Sequence, residues 1–339
     1  FLLLTNIKLT FMRKLLTLTL AFASITLIAQ EETESPEKKF SFEGSVDAYY
    51  RANITAPNDI NQIAPSTSFA DTAGFSLGMG NIIASYEKGK VGAVADLVFG
   101  PRGEAASATV LNQLYAFWNV SESVTLTMGK FNTFLGYELI SPTGNFNYST
   151  SYLFSNGPFS HTGLKADFTI SEDFSLMLGV FNQTDVTEYN PDGSYAAGAQ
   201  LGYKDQYLNL LYDDAGLGFE VDYTGGFDVS DDFFLGINGA YADNDGEGFY
   251  GAALYPQYGF GDDFTLGLRG EYFGTQSDAP GDDPSVIALT LTGSYVVDED
   301  LTIKPELRLD SGSEDIFIDT DLMPTKILAS FVMAAIYKF

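Results

Sequence analysis

Apolar and polar residues alternate one for one along most of this chain, and short acidic turns interrupt the alternation at regular intervals. Phe40, Phe42, Gly44, Val46, Ala48 and Tyr50 share one side of an extended segment, and Ser41, Glu43, Ser45, Asp47, Tyr49 and Arg51 share the other. A period of two sends successive side chains to opposite faces of a strand. The pattern returns in Leu217, Phe219, Val221 and Tyr223 against Glu220 and Asp222, and in Leu301, Ile303, Pro305, Leu307 and Leu309 against Lys304, Glu306, Arg308 and Asp310. Between such segments a turn recurs in loose copies: TISEDFSLMLG from Thr169, NVSESVTLTMG from Asn119, DVSDDFFLGIN from Asp228, GFGDDFTLGLR from Gly259 and VVDEDLTIKPE from Val296. Ser and Asp suit tight turns, so these copies mark hairpins and not a ligand site.

Sixteen strands can be drawn on this basis between residues 40 and 339, or fourteen if the weaker segments 111–120 and 206–213 are left out. Most are about 9 to 13 residues long, the length a tilted strand needs to cross a hydrocarbon layer. Connections alternate: Lys88 to Lys90, Ser171 to Asp173 and Asp298 to Asp300 are short, whereas 53–74, 132–159, 183–194, 275–285 and 312–323 are long. A soluble sandwich also alternates polar and apolar residues, but it has no reason to keep its short turns on one side. The expected fold is therefore all-β: a transmembrane antiparallel up-and-down barrel with short periplasmic turns and long extracellular loops.

Composition agrees with that class. The chain has 339 residues, a net charge of −28 and no cysteine, which removes disulfides and thiolate metal sites. Hydrophobic residues make up 45%, too apolar for disorder, and the acidity excludes nucleic acid as a partner. Met12-Arg13-Lys14 followed by the apolar run Leu15 to Ala29 has the layout of a secretory signal peptide over 12–30. Residues 1–11 read as an upstream extension, 31–39 as a flexible entry segment, and 40–339 as a single barrel domain. Rings near predicted strand ends, among them Tyr49, Tyr50, Tyr86, Phe99, Phe117, Trp118, Phe131, Phe174, Phe181, Tyr203, Tyr272 and Tyr295, are expected to form interfacial girdles.

The pieces GKFNTFLGYE, SYLFSNGPFSHTGLKA and GVFNQTDV, within Gly92 to Asp185, resemble the β-barrel porin type 2 (OmpL-like) family of Bacteroidota-type outer membranes. The resemblance implies an outer-membrane porin of a Gram-negative cell, with no catalytic residues and no cofactor. Tyr337 and Phe339 are similar to the C-terminal aromatic signal that outer-membrane barrels offer to their insertion machinery. Expected partners are outer-membrane lipid, that machinery and small hydrophilic solutes; a homo-oligomer is compatible with the family, but the sequence offers no interface for one.

A barrel of about sixteen strands leaves an aqueous channel, so function turns on what lines and narrows it. Inward positions on the alternation hold Arg51, Lys165, Arg269, Lys304 and Arg308 together with Glu43, Asp47, Asp96, Asp167, Glu220, Asp222, Glu271, Glu306 and Asp310. Acids outnumber bases, which predicts a weak preference for cations. Cross-strand pairing is the competing use of Lys165 with Asp167 and of the row from Lys304 to Asp310. The longest loop, 132–159, is the third on the long-loop side, and in general porins that loop folds inward. Its Phe134, Tyr137, Glu138, Phe146, Tyr148, Tyr152, Phe154 and Phe159 would be costly to expose, so it is the candidate constriction. Two other readings are a closed structural or adhesion barrel, and a barrel enzyme built on His161, the only histidine. Asp243, Asp245 and Glu247 in DNDGEG miss the order of a calcium loop, so no metal is expected.

Overall fold

The computed structural model describes residues 37–339 apart from 60–66, 68, 108, 191–192, 279–280 and 282. The expected signal peptide and upstream extension, and most of the entry segment, lie outside the described residues. The strands are β1 (Lys38–Asn53), β2 (Gly74–Lys88), β3 (Val91–Phe99), β4 (Leu111–Ser121), β5 (Val124–Asn132), β6 (Ser160–Thr169), β7 (Phe174–Phe181) and β8 (Ala196–Tyr203). They continue as β9 (Gln206–Asp213), β10 (Gly218–Ser230), β11 (Phe233–Asn244), β12 (Glu247–Gly259), β13 (Phe264–Gln276), β14 (Ser285–Asp298) and β15 (Leu301–Gly312). A small hairpin, β16 (Phe317–Ile318) with β17 (Pro324–Thr325), precedes the last strand, β18 (Ile327–Lys338). Two short helices, α1 (Pro101–Ser107) and α2 (Tyr152–Asn156), sit in loops.

Each of β1 to β15 pairs antiparallel with its neighbour in sequence, and β18 pairs with both β15 and β1, closing a barrel without edges. At the closure Ala48 lies opposite Ala335, and Gly44 and Phe339 exchange two backbone hydrogen bonds of 2.9 Å. Sixteen barrel strands match the higher of the two expected numbers; of the weaker segments, β9 pairs without interruption, and β4 pairs on both sides with one register shift against each neighbour. Short turns crowd one rim. In the turn after β6 the Ser171 hydroxyl accepts from the backbone N–H groups of Asp173 and Phe174, which is why serine recurs there. Loop asymmetry is incomplete on the opposite rim, where only Asp245 and Gly246, both with positive φ, join β11 to β12. An Asp-Gly pair in this conformation matches the right-handed twist of the strands it links.

The outer face of the wall is apolar. Leu114, Met128, Leu164, Leu178, Leu254, Leu289 and Leu309 are all exposed there. Exposed rings form two belts: Tyr86, Trp118, Phe174, Tyr203, Tyr258 and Tyr295 near the short turns, and Tyr50, Phe75, Phe99, Tyr212, Tyr250 and Tyr272 near the long loops. Rings with an apolar body and a polar edge belong at the two interfaces of a bilayer. Tyr49, Phe131 and Phe181 are not in these belts. They are buried, because they fall on the inward set of their strands, one residue out of phase with the lipid face. Phe117 likewise lies over the inward Gly92, where a Cβ would come within 2.3 Å of the ring.

Candidate functional site

Inside the barrel the segment from Thr133 to Phe159 crosses from β5 to β6 by way of the opposite wall. Its two ends are tied together: Thr133 N–H donates to the Phe159 carbonyl at 3.0 Å, and Thr133 Oγ1 lies 3.0 Å from His161 Nε2. Asp185 accepts from the backbone of Phe159 and Ser160, at 3.0 and 2.7 Å, and burial raises its carboxyl above the usual range. His161 is fully buried between Phe134 and Phe181, and its Nδ1 has no partner. The only histidine therefore braces the loop's base.

Charged side chains of the wall hold the loop by its backbone. Glu306 accepts from the N–H groups of Tyr148, at 3.0 Å, and Ser149, and also from the Ser149 hydroxyl. Glu271 accepts from Tyr152 and Leu153 at 3.1 and 2.9 Å. Asp222 accepts from Gly136 at 3.0 Å, and Asp47 from the Tyr148 hydroxyl at 2.5 Å. The carbonyls are covered from the other side. Arg269 donates to Ser149 and Thr150, Arg308 donates to Thr150 at 2.7 Å, and Lys304 donates to Asn145. A loop placed in a lumen has no ladder to satisfy its peptide groups, and here arginines and carboxylates supply the partners. The one charge in the loop, Glu138, pairs with Arg269 at 2.6 Å and also accepts from Ser151 N–H at 2.7 Å.

Steric fit adds to the clamp. Inward glycines of the wall seat rings of the loop: a Cβ on Gly198 would meet Phe134 at 2.5 Å, one on Gly236 the Tyr137 hydroxyl at 2.3 Å, and one on Gly267 Phe146 at 2.3 Å. Tyr137 stacks on Tyr255 with centroids 4.3 Å apart. Tyr152 and Leu153 pack among Phe249, Phe273, Val286 and Ala288, while Phe154 and Phe159 pack with Phe69, Met79 and Ile140. Burial raises the phenols of Tyr148 and Tyr152 well above their ordinary value and pushes Tyr137 up to about 12.

The expected wall residues do different work. Lys165 and Asp167 pair at 3.0 Å, as do Arg308 and Asp310, whereas Lys304 takes a loop carbonyl in place of an acid. Arg51 reaches the Ala70 carbonyl in the first long loop, and Asp96 gathers the amides of Asn81, Asn112 and Gln113. Glu220 is buried beside Asp222 with Oε2 unpartnered, and Glu43 lines the short-turn end. Sequence reasoning missed Arg102. This α1 residue donates to the carbonyls of Ile140 and Tyr148 and lies over the rings of Phe69 and Tyr148, at 4.4 and 5.1 Å. It stands in a loop, where no alternation could flag it; the inward amides Asn209 and Asn238, by contrast, were visible on the polar face but carry no charge.

A closed barrel with an apolar belt between two aromatic girdles and a charged interior defines an integral outer-membrane β-barrel of the porin type. The chain belongs to the family described as Putative beta-barrel porin-2, OmpL-like, whose model matches residues 39–339. Among solved structures, it is similar to the outer membrane channel DcaP of Acinetobacter baumannii, with a TM-score of 0.62 at 14% identity over 92% of this chain and 100% of that one. It is also similar to an anion-selective porin from Comamonas acidovorans, with a TM-score of 0.62 at 10% identity over 89% and 100% of the two chains. OmpT of Vibrio cholerae aligns with a TM-score of 0.56 at 13% identity, over 91% and 100%. At such identities the likeness concerns the fold alone. No curated protein matches the sequence.

Proposed function

We propose that this protein is a passive diffusion channel of the outer membrane for small hydrophilic solutes, with the segment 132–159 as its constriction and a weak preference for cations. The observation that supports the reading is the clamped loop, a segment bonded to wall residues on β1, β10, β13 and β15, which on this reading narrows a wide barrel from within. Preference for cations follows from how the charges are spent. Arg51, Arg269, Arg308 and Lys304 are engaged by carbonyls or carboxylates, while Glu43, Asp205 and Asp228 remain exposed on the short-turn side. Tyr337 at the end of the last strand and Phe339 just beyond it, both exposed, are the proposed contact for the insertion machinery. Single-channel recording of the refolded protein tests the reading, with stepwise conductance expected and a reversal potential in a salt gradient of the sign for cation flow. Absence of conductance steps would sink it.

One observation favours a second reading, a barrel without an open pore. The apolar cluster of Tyr152 and Leu153 with Phe249, Phe273 and Val286 fills part of the long-loop half of the lumen. The same recording separates the two readings.

A further inference from the structure

Below the loop, on the short-turn side, the lumen holds a cavity of about 440 Å³ between residues 132–140 and the wall formed by β8 to β11. Its volume falls in the range of small-molecule sites, about 300 to 1,000 Å³. Rings dominate the lining: Phe134 and Tyr137 come from the loop, Tyr207 from β9 and Phe234 from β11. None of these four is fully buried. Asp228 lies directly opposite Phe234 in the β10–β11 register, and Asp205 stands in the adjoining turn; both carboxylates are exposed and line the cavity. A third acid, Glu138, is already neutralised by Arg269. No lysine or arginine lines this cavity among the described residues.

A neighbouring cavity of about 420 Å³ shares Tyr137, Glu138 and Phe234 but differs in chemistry. Amides, hydroxyls and the ammonium of Lys304 line it. Of these two cavities, the smaller thus has a lysine in its lining, and the larger has the exposed carboxylates of Asp205 and Asp228.

From this we infer that the larger cavity is a binding site for a small organic cation with an apolar body. Ring faces attract a cation through their quadrupole, most strongly where water is partly excluded, and Asp228 and Asp205 supply opposite charge at the mouth. The backbone is shaped for it: Gly226 faces inward beneath the Phe234 ring, where a Cβ would come within 2.3 Å, so a larger residue would push that ring out of place. A neutral or anionic ligand of the same shape would gain the apolar contact without the electrostatic one. The inference deepens the channel reading by naming a class of solute, and it rests on that reading for its physiological meaning.

The test is calorimetric titration of benzyltrimethylammonium into the refolded, detergent-held barrel, with benzenesulfonate as the anion of similar shape. Saturable binding of the cation is expected, with none of the anion. Phe234→Ala and Asp228→Asn should each weaken binding at least tenfold; the second alters an exposed side chain and leaves folding untouched. No saturable binding, equal binding of the anion, or unchanged affinity in Asp228→Asn would overturn the site. Conductance measured on the same preparation keeps the two claims apart. Steps without cation binding reject the site and leave the channel, whereas cation binding without steps keeps the site and rejects the channel.

Discussion

Arg269 and Glu138 meet at 2.6 Å in the interior of the barrel, both almost completely excluded from solvent, although 131 residues separate them in sequence. One stands on the wall and the other in the loop, so the pair is a tether between them. Removing one partner of a buried pair strands the other charge, at a cost of about 3 to 5 kcal/mol. Arg269→Met should therefore destabilise the refolded barrel by roughly that amount in denaturant unfolding and raise single-channel conductance as the loop loosens. The double variant Arg269→Met with Glu138→Gln should regain most of the stability without regaining the low conductance. An Arg269→Met barrel with unaltered stability would show that the pair carries no such tether.

Gly236 faces inward at the point where Tyr137 reaches the wall, and there is no room for a Cβ between it and the phenol. Gly236→Val overpacks this contact, which typically costs about 1 to 3 kcal/mol. Lower unfolding midpoints are expected, together with loss of the Tyr137 stack on Tyr255. Adding Tyr137→Ala should restore the midpoint, because the obstructed ring is then gone; failure of this rescue would place the damage elsewhere in β11.

The barrel was legible because its two solvents impose a strict period of two. Val221 and Asp222, neighbours on β10, must face lipid and lumen respectively, and one misplaced register step would reverse every such pair. Phase at single rings was harder to read. Tyr49 and Tyr50 are adjacent and chemically alike, yet the first is inside against Tyr148 and the second outside against Phe75. The use of the carboxylates Asp47, Glu271 and Glu306 was not legible, because an acid that accepts from a hydroxyl or peptide N–H of a distant loop leaves no trace in local sequence. The partners lie 101 to 158 positions away. Arg102 shows the same limit, since its role depends on where two other loops fold.

Alkaline titration offers an independent view of the loop. Tyr137 ordinarily ionises near 10.0, and its burial pushes this to about 12. A phenol whose folded value is raised favours the folded state at and below its unfolded value, and that contribution is lost as pH rises from about 10 through about 12. Tyr148 and Tyr152 are shifted in the same direction by burial. Phenolate absorbance should thus show a late set of tyrosines that ionises only as the loop detaches, and unfolding midpoints should fall over the same interval. Tyr137→Phe should flatten part of that fall. A single early transition for all tyrosines would contradict the burial of the three loop phenols.

Glu306 gives the most direct handle on the clamp, because one carboxylate serves the N–H groups of Tyr148 and Ser149 and the Thr292 hydroxyl. Glu306→Ala would leave these buried donors without an acceptor, at about 1 to 3 kcal/mol for each group left unsatisfied. The wall itself keeps every ladder bond of β15, so the cost falls on the loop and not on the barrel. The segment 148–154, which carries Tyr148, Tyr152 and Phe154, should then become available to chymotrypsin added to the folded protein, while the parent protein resists cleavage there. Conductance should rise in parallel, and Glu306→Gln, which retains one acceptor oxygen, should lie between the two. Proteolysis at these rings in the parent protein, or full resistance in Glu306→Ala, would mean that the backbone clamp is not what holds the loop in the lumen.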